Sequence, residues 1–444
     1  MWNVINPGIL LITLAFLLAI GFSTTATGKT ISVDDDGSAD FNNIQAAIDE
    51  AANGDVIVVT CGRYTGKGNR DIDFSGKAIT VRSTNPNDPN IVASTIIDCN
   101  GSEYSEHRGF HFHTGEDPNA VVAGFTITRG VTGSGGGILC TNGSSPTIKN
   151  NIIKSNYILY DYDGGGGIGC WDGASPIISN NIICDNYCEP GGGGGGIHCY
   201  EAGSPKIVSN VFIGNHANFG GAIEFAYINI GGLVENNLII GNTASRGAGI
   251  ACWGTGDITI KNNTIVDNMA AEYTGGVEIY YIDTVWVTDC IIWDNRDSNG
   301  GGQFAQIAGT SLNIDHCCIE GWTGELGGVG NIAVDPCFVD LSAGDYHLKS
   351  QAGRWNENEE LWAKDDVTSL CIDAGNPASP IGLEPFPNGG IINMGAYGGT
   401  IEASKSYFGK PPCETIVAGD INGDCIVSFV DFAFMALHWL EDNN

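Results

Sequence analysis

Gly135-Gly136-Gly137-Ile138-Leu139-Cys140, followed closely by Ser145-Pro146-Thr147-Ile148-Lys149-Asn150-Asn151-Ile152-Ile153, is the stretch that decides the fold. Its apolar runs are too short for helices and alternate with period two, as strands do. Gly, Ser, Pro and Asn punctuate them, as turns require. The pattern is written six times. The hydrophobe that ends the small-residue opening recurs at Ile138, Ile168, Ile197, Ile223, Ile250 and Val277, at intervals of 30, 29, 26, 27 and 27. A closing Asn recurs at Asn156, Asn186, Asn215, Asn242, Asn268 and Asn295, at intervals of 30, 29, 27, 26 and 27. Two markers that drift together to within one residue are a true repeat, and self-similarity at this period means a stacked architecture.

Three short strands per copy make one coil of a parallel β-helix, an all-β solenoid. No coil buries its inward face alone, so neighbours complete the core. Asn151, Asn181, Asn210, Asn237 and Asn263 fall between two apolar runs. Asn tolerates the left-handed conformation of a tight turn. Stacked coil on coil, these side chains are expected to bond in a ladder.

Alternation also locates the chemistry. If Ile138 and Cys140 point inward, their neighbours point out along one face. The outward column after the hydrophobe reads Leu139, Gly169, His198, Glu224, Ala251 and Glu278; the next reads Thr141, Trp171, Tyr200, Ala226, Trp253 and Tyr280. Aromatic faces that stack on sugar rings, with carboxylates between them, suit a polysaccharide groove. Trp171, Tyr200, Trp253 and Tyr280 are therefore the expected binding platforms, all exposed. His198, Glu224 and Glu278 are the expected catalytic set. Coils rise ~4.8 Å, so Glu224 and Glu278 stand two coils, ~9.6 Å, apart at the backbone. Paired carboxyls at ~6.5–9.5 Å suit inverting glycoside hydrolysis. A lyase needs a basic proton acceptor, and these columns hold no Lys or Arg; Arg246 and Lys206 are nearby loop candidates.

Taken in order, residues 1–28 carry an apolar run, Ile9 to Phe22, and then small residues, which reads as a signal peptide cleaved near Lys29. An exported protein with no membrane segment after cleavage is expected, secreted or at the cell surface. Residues 29–82 read as an amino-terminal cap and first coils. A helix over Asp40–Ala51, apolar at Phe41, Ile44, Ala47, Ile48 and Ala51, covers the open end of the stack. Repeats occupy 83–334. Closing coils and a carboxyl-terminal cap take 335–405, a linker 406–415, and a tail 416–444.

The helix and strand ending in Gly62-x-Tyr64, followed by the coils, resemble the right-handed parallel β-helix superfamily, which includes pectate lyases and related polysaccharide enzymes. Phe212-Ile213-Gly214-Asn215 and Gly220-Gly221-Ala222-Ile223 also resemble repeats of bacterial polymorphic outer membrane proteins. These likenesses imply the handedness and the fold; a fold hosts many functions.

The tail holds Asp420-Ile421-Asn422-Gly423-Asp424-Cys425-Ile426-Val427-Ser428-Phe429-Val430-Asp431. Asp420, Asn422, Asp424, Ser428 and Asp431 place oxygen donors at loop positions 1, 3, 5, 9 and 12, with the Ile426 carbonyl at 7, as a calcium loop does. An apolar helix is expected from Phe432 to Leu440. The motif resembles half of a type I dockerin, which implies Ca²⁺ and a cohesin-type protein partner. It departs in having Cys425 where the turn wants Gly, and in a single repeat.

Fifty-one acidic residues against nineteen basic ones, a net charge of −32, argue against nucleic acid or an anionic membrane as partner. The same balance disfavours a polyanionic substrate unless calcium bridges it. Of the fifteen cysteines, Cys140, Cys170, Cys199 and Cys252 occupy the inward slot and read as core fillers. Cys184 with Cys188, and Cys413 with Cys425, are candidate disulfides. Two readings stand. One is an exported protein that binds polysaccharide along the groove and, if an enzyme, is a glycoside hydrolase or lyase, attached to a partner through its tail. The other is a non-catalytic surface or adhesion protein of the polymorphic outer membrane protein type.

Overall fold

The computed structural model describes residues 28–159, 164–188, 191–356, 359–407, 419, 421 and 427–438. The signal segment, four of the six calcium-loop residues (Asp420, Asn422, Asp424 and Ile426) and the Cys413–Cys425 pair lie outside them.

The chain winds into a parallel β-solenoid of about 11 turns, with sheets of 11, 10 and 9 strands running its length. Each central coil carries four strands rather than the expected three. One coil, for example, is Val121–Ala123, Thr126–Thr128, Val131–Thr132 and Ile138–Cys140. The extra strand belongs to a short sheet of six strands, confined to the middle of the stack. Register follows the repeat without a slip: Ile138 pairs Ile168, which pairs Ile197, then Ile223, Ile250 and Val277. All six are fully buried. So are Cys140, Cys170 and Cys199 in the next inward slot, with Phe225, Cys252 and Ile279 beside them. These cysteines fill space as small hydrophobes, and burial pushes the thiols of Cys140, Cys199 and Cys252 up, away from the reactive thiolate.

The Asn ladder is present. Asn151 Nδ2 donates to Asn181 Oδ1 at 3.1 Å, Asn181 to Asn210 at 2.9 Å, Asn210 to Asn237 at 3.1 Å and Asn237 to Asn263 at 3.0 Å. Cys290 and Cys317 continue it as sulfur acceptors for the backbone N–H groups of Asn263 and Cys290. One detail differs from expectation. The left-handed residue is the one before each ladder Asn: Asn150, Asn180, Ser209, Asn236 and Asn262 have φ of 50–55°. That twist turns the following Asn side chain inward, where it is buried. The closing Asn residues, read from sequence only as markers, form a second ladder from Asn156 to Asn295, ended by Gln306 Oε1 at 2.7 Å from Asn295 Nδ2.

The amino-terminal helix runs Ile44–Glu50, shorter than expected, because Phe41 bridges to Val33 and Asn43 caps the helix by accepting from Ala46 N. Ile44, Ala47 and Ile48 are buried against the first coil. At the other end Trp322 and Leu326 pack on the core.

Residues 335–405 therefore do not act as closing coils. Their strands pair antiparallel, Phe338–Asp340 with Asp345–Leu348 and Arg354–Asn356 with Leu361–Ala363. The segment folds back along the side of the stack, burying Phe338, Tyr346, Leu348, Cys371 and Met394 against Val266, Ile291 and Cys318. Polar ties fix it: Asp289 accepts from Asn376 N and Ser379 Oγ, and Asn236 Nδ2 donates to Ala396 O and Gly398 O. The Cys184–Cys188 bridge is not formed. Cys184 is free, while Cys188 is buried with Ile158 and Ala217 between coils, so the two face different surroundings. The tail helix runs Phe429–His438, beginning three residues before the expected Phe432. Among the described residues no helix is long and apolar enough to cross a membrane.

Candidate functional site

Four adjacent parallel strands, Ile197–Tyr200, Ile223–Ala226, Ile250–Trp253 and Val277–Tyr280, set the site. Their register puts His198, Glu224, Ala251 and Glu278 in one column and Tyr200, Ala226, Trp253 and Tyr280 in another. Both columns leave the solenoid outward. All seven residues counted off the repeat, Trp171, His198, Tyr200, Glu224, Trp253, Glu278 and Tyr280, line one cavity of about 680 Å³. Ala251, between the two glutamates, leaves room where a larger side chain would fill it.

The ionisable groups are not exposed, contrary to the reading from alternation alone. His198, Glu224 and Glu278 are 3%, 2% and 8% accessible. The cover comes from the short fourth sheet and the glycine run after it, where Gly164, Gly193, Phe219 and Arg246 stack on consecutive coils. Glycine is needed there. A Cβ on Gly193 would overlap Glu224 Oε2, and one on Gly164 would overlap His198 Nδ1. Of the aromatic column, Trp171, Tyr200 and Trp253 are half-buried and Tyr280 is exposed.

Burial sets the protonation states. Desolvation lifts the Glu224 carboxyl to about 8, against the pull of a 2.5 Å hydrogen bond from Trp253 Nε1 to its Oε1. Desolvation drops His198 to about 3. His198 Nε2 lies 3.1 Å from Glu224 Oε2, without the alignment of a hydrogen bond. Burial thus disfavours the charged form of each group at this contact. Glu278 is held differently: Arg246 donates to its Oε1 from Nε, at 3.0 Å, and from Nη2. Oε2 of Glu278 is buried with no hydrogen-bond partner among the described residues. The Arg246 guanidinium lies 4.3 Å from the Tyr273 ring centre and 5.1 Å from that of Tyr280, a geometry for cation–π attraction.

Sequence reasoning left Arg246 as a loop candidate; the structure puts it on the strand Thr243–Arg246, in the cavity wall. Lys206 sits on Lys206–Val208 in the 11-stranded sheet, away from the cavity. A signal existed. Four residues before each hydrophobe the chain reads Ser134, Gly164, Gly193, Phe219, Arg246 and Tyr273, a column as regular as the two that were counted. Tyr227 was also missed. It fills the gap at Ala226, with ring centres 5.8 Å from Tyr200 and 4.9 Å from Trp253, so the aromatic row is continuous from Trp171. In the calcium loop, Ser428 and Asp431 are the described candidates. Asp431 is buried and accepts from Ile421 N at 2.9 Å and Ser428 N at 2.6 Å, tying together the two ends of the loop.

Residues 30–215 match the family described as right handed beta helix region, and residues 207–375 match the one described as disaggregatase related. No curated protein matches. Among solved structures, pectate lyase Pel9A superposes with a TM-score of 0.50 at 16% identity, over 84% of this chain and 96% of that one. A rhamnogalacturonan lyase gives 0.32 at 12% identity, over 77% and 96%. At such identities the likeness to Pel9A concerns the fold alone: the chain is a right-handed parallel β-helix of pectate-lyase-like architecture.

Proposed function

We propose that the chain is an exported carbohydrate-active protein that holds a polysaccharide across the Trp171–Tyr200–Tyr227–Trp253 row and hydrolyses it in the cavity beside them. One observation carries this reading. Two carboxyls stand two coils apart over Ala251, in environments that differentiate their roles, Glu224 kept protonated to about pH 8 and Glu278 bound to Arg246. Such a division is how one site runs acid and base chemistry together.

In this scheme Glu224 gives its proton to the glycosidic oxygen as the C–O bond breaks. Glu278 Oε2 takes a proton from water, whose oxygen bonds to the anomeric carbon from the opposite side. The backbone separation of ~9.6 Å leaves space for that water. Hydrolysis is favoured over elimination because, apart from Glu278, which the water step uses, the described cavity offers no free Lys, Arg or readily protonated His as a second proton acceptor. Arg246 is committed to Glu278, and His198, at about 3, is a poor proton acceptor. The polysaccharide class agrees with the pectate lyase that shares this fold.

The tail is proposed to bind Ca²⁺ and dock to a cohesin-type protein. Support is the fold-back of Asp431 onto Ile421 and Ser428, which sets a position-twelve carboxylate against its loop. When bound, the ion would be held by Asp420, Asn422, Asp424, Ile426, Ser428 and Asp431 and would order the loop ahead of the helix.

A panel of immobilised neutral and uronic polysaccharides tests the groove. The chain should bind at least one of them, and Tyr200→Ala should weaken that binding about tenfold, the loss of one stacking contact of about 1.4 kcal/mol. Binding indifferent to Tyr200→Ala, or no binding to the panel, favours the adhesion reading instead.

A further inference from the structure

Near the amino-terminal end, on coils that take no part in the cavity above, a second constellation appears. Ser105 Oγ lies 3.0 Å from His107 Nε2, and His107 Nδ1 lies 2.6 Å from Asp71 Oδ2. Only one tautomer serves both contacts. Nδ1 donates its proton to the Asp71 carboxylate, which leaves Nε2 to accept from the Ser105 hydroxyl. We propose that Ser105, His107 and Asp71 form a separate acyl-transfer site that cleaves esters.

The backbone holds all three residues in place. Ser105 closes a tight hairpin through reciprocal 3.0 Å bonds with Ser102. His107 is pinned by reciprocal bonds to Val131, at 3.0 and 2.9 Å. Asp71 is in the left-handed region at φ 51°, where its N–H donates to Arg108 O and its Oδ1 accepts from Arg108 N at 2.9 Å. Three independent clamps on a nucleophile, a base and an orienting carboxylate are what preorganisation asks for. Ser105 is exposed, so a substrate reaches it without a movement of the chain.

Ser105 stands outside the lining of the neighbouring cleft of about 780 Å³, into which His107 and Asp71 lead and which also holds Lys67, Arg70, Gln45, Asp49 and Asp73. Its charged and amide lining fits a short acyl group on a polar, hydroxyl-rich alcohol and not a fatty chain. Lys67 and Arg70 are the cations of that lining, and Arg70 Nη1 donates to the carbonyls of Cys99 and Asn100. Ser105 Oγ bonds to the ester carbonyl carbon while its proton passes to His107 Nε2. The alcohol leaves with that proton, and water then enters by the same route, releasing the acid and restoring the serine. Ser105 and His107 are the catalytic pair; Asp71 is a positioning residue.

The test uses the full chain with a fluorophosphonate probe and p-nitrophenyl acetate, read by peptide mass spectrometry and ester hydrolysis. Ser105 should carry the label. Ser105→Ala, the loss of one exposed hydroxyl, should abolish labelling at an unchanged melting temperature. His107→Ala should slow both reactions about 10³-fold. Asp71→Asn should lower kcat and move the pH profile, with KM nearly unchanged. Absence of label on Ser105, labelling that survives His107→Ala at full rate, or ester hydrolysis unaltered in Ser105→Ala would each overturn the proposal.

Discussion

Trp253 donates its indole N–H to Glu224 Oε1, one coil below, so the central aromatic platform is also the clamp on the buried acid. The two roles separate by substitution. Trp253→Phe keeps a ring for stacking but removes the bond that favours the charged carboxylate. Glu224 should then titrate above its present value of about 8. Difference infrared titration against Glu224→Gln reads this directly, and an unmoved or lowered carboxyl titration would show that the bond does not act on the acid.

The buried pair also writes a pH signature into stability. Glu224 is raised from 4.5 to about 8 on folding, so between these values the native state holds a proton that the unfolded chain releases. Stability therefore falls as pH rises through that window. His198 works the other way: lowered from 6.5 to about 3, it withdraws stability as pH falls from 6.5. Glu384, raised to about 7 by burial, adds to the Glu224 slope up to that pH. From pH 7 to 8 Glu224 acts together with His347, which, against its burial, the Asp345 and Glu402 carboxylates hold above its ordinary value. The difference between wild type and Glu224→Gln therefore isolates the Glu224 part. Melting temperatures should drop across this interval in the wild type and less in Glu224→Gln; parallel curves would contradict the assignment.

Asn210 is a rung with every polar atom engaged. Its Nδ2 donates to Ile178 O, Val208 O and Asn237 Oδ1, and its Oδ1 accepts from Asn181. Asn210→Leu strands those partners in a dry turn and should cost about 3 kcal/mol, the upper part of the range for buried groups left unpaired. Denaturant melts measure it. A loss below about 0.5 kcal/mol, typical of a surface change, would mean the ladder is ornamental.

The solenoid and the columns were legible because a coil is local: a period near 27 residues fixes which side chains stack, whatever lies elsewhere. Counting found Glu224 and Trp253 for that reason. Burial was not legible, because it depends on what folds across the column. Gly193 and Gly164 drew no role from the count, yet their lack of side chains is what lets the backbone close over Glu224 and His198. Arg246 was in reach of the same count, had a column been taken four residues before the hydrophobe. Residues 335–405 offered no such handle. They repeat nothing, and contacts such as Asn236 with Ala396 span most of the chain's second half.

In the tail, Asp431 is already turned onto the loop backbone. Calorimetry on the full chain should show calcium uptake that Asp424→Ala removes, with the solenoid's melting unchanged. Equal heats in the two proteins would retire the calcium loop.

The claim that matters most is the division of labour between Glu224 and Glu278. The direct measurement is reducing-end release from the bound polysaccharide by wild type, Glu224→Gln and Glu278→Gln, with binding followed in parallel. The account predicts that each variant loses about 10²–10⁴-fold in cleavage while binding stays nearly intact. Cleavage at the wild-type rate by both variants would contradict it.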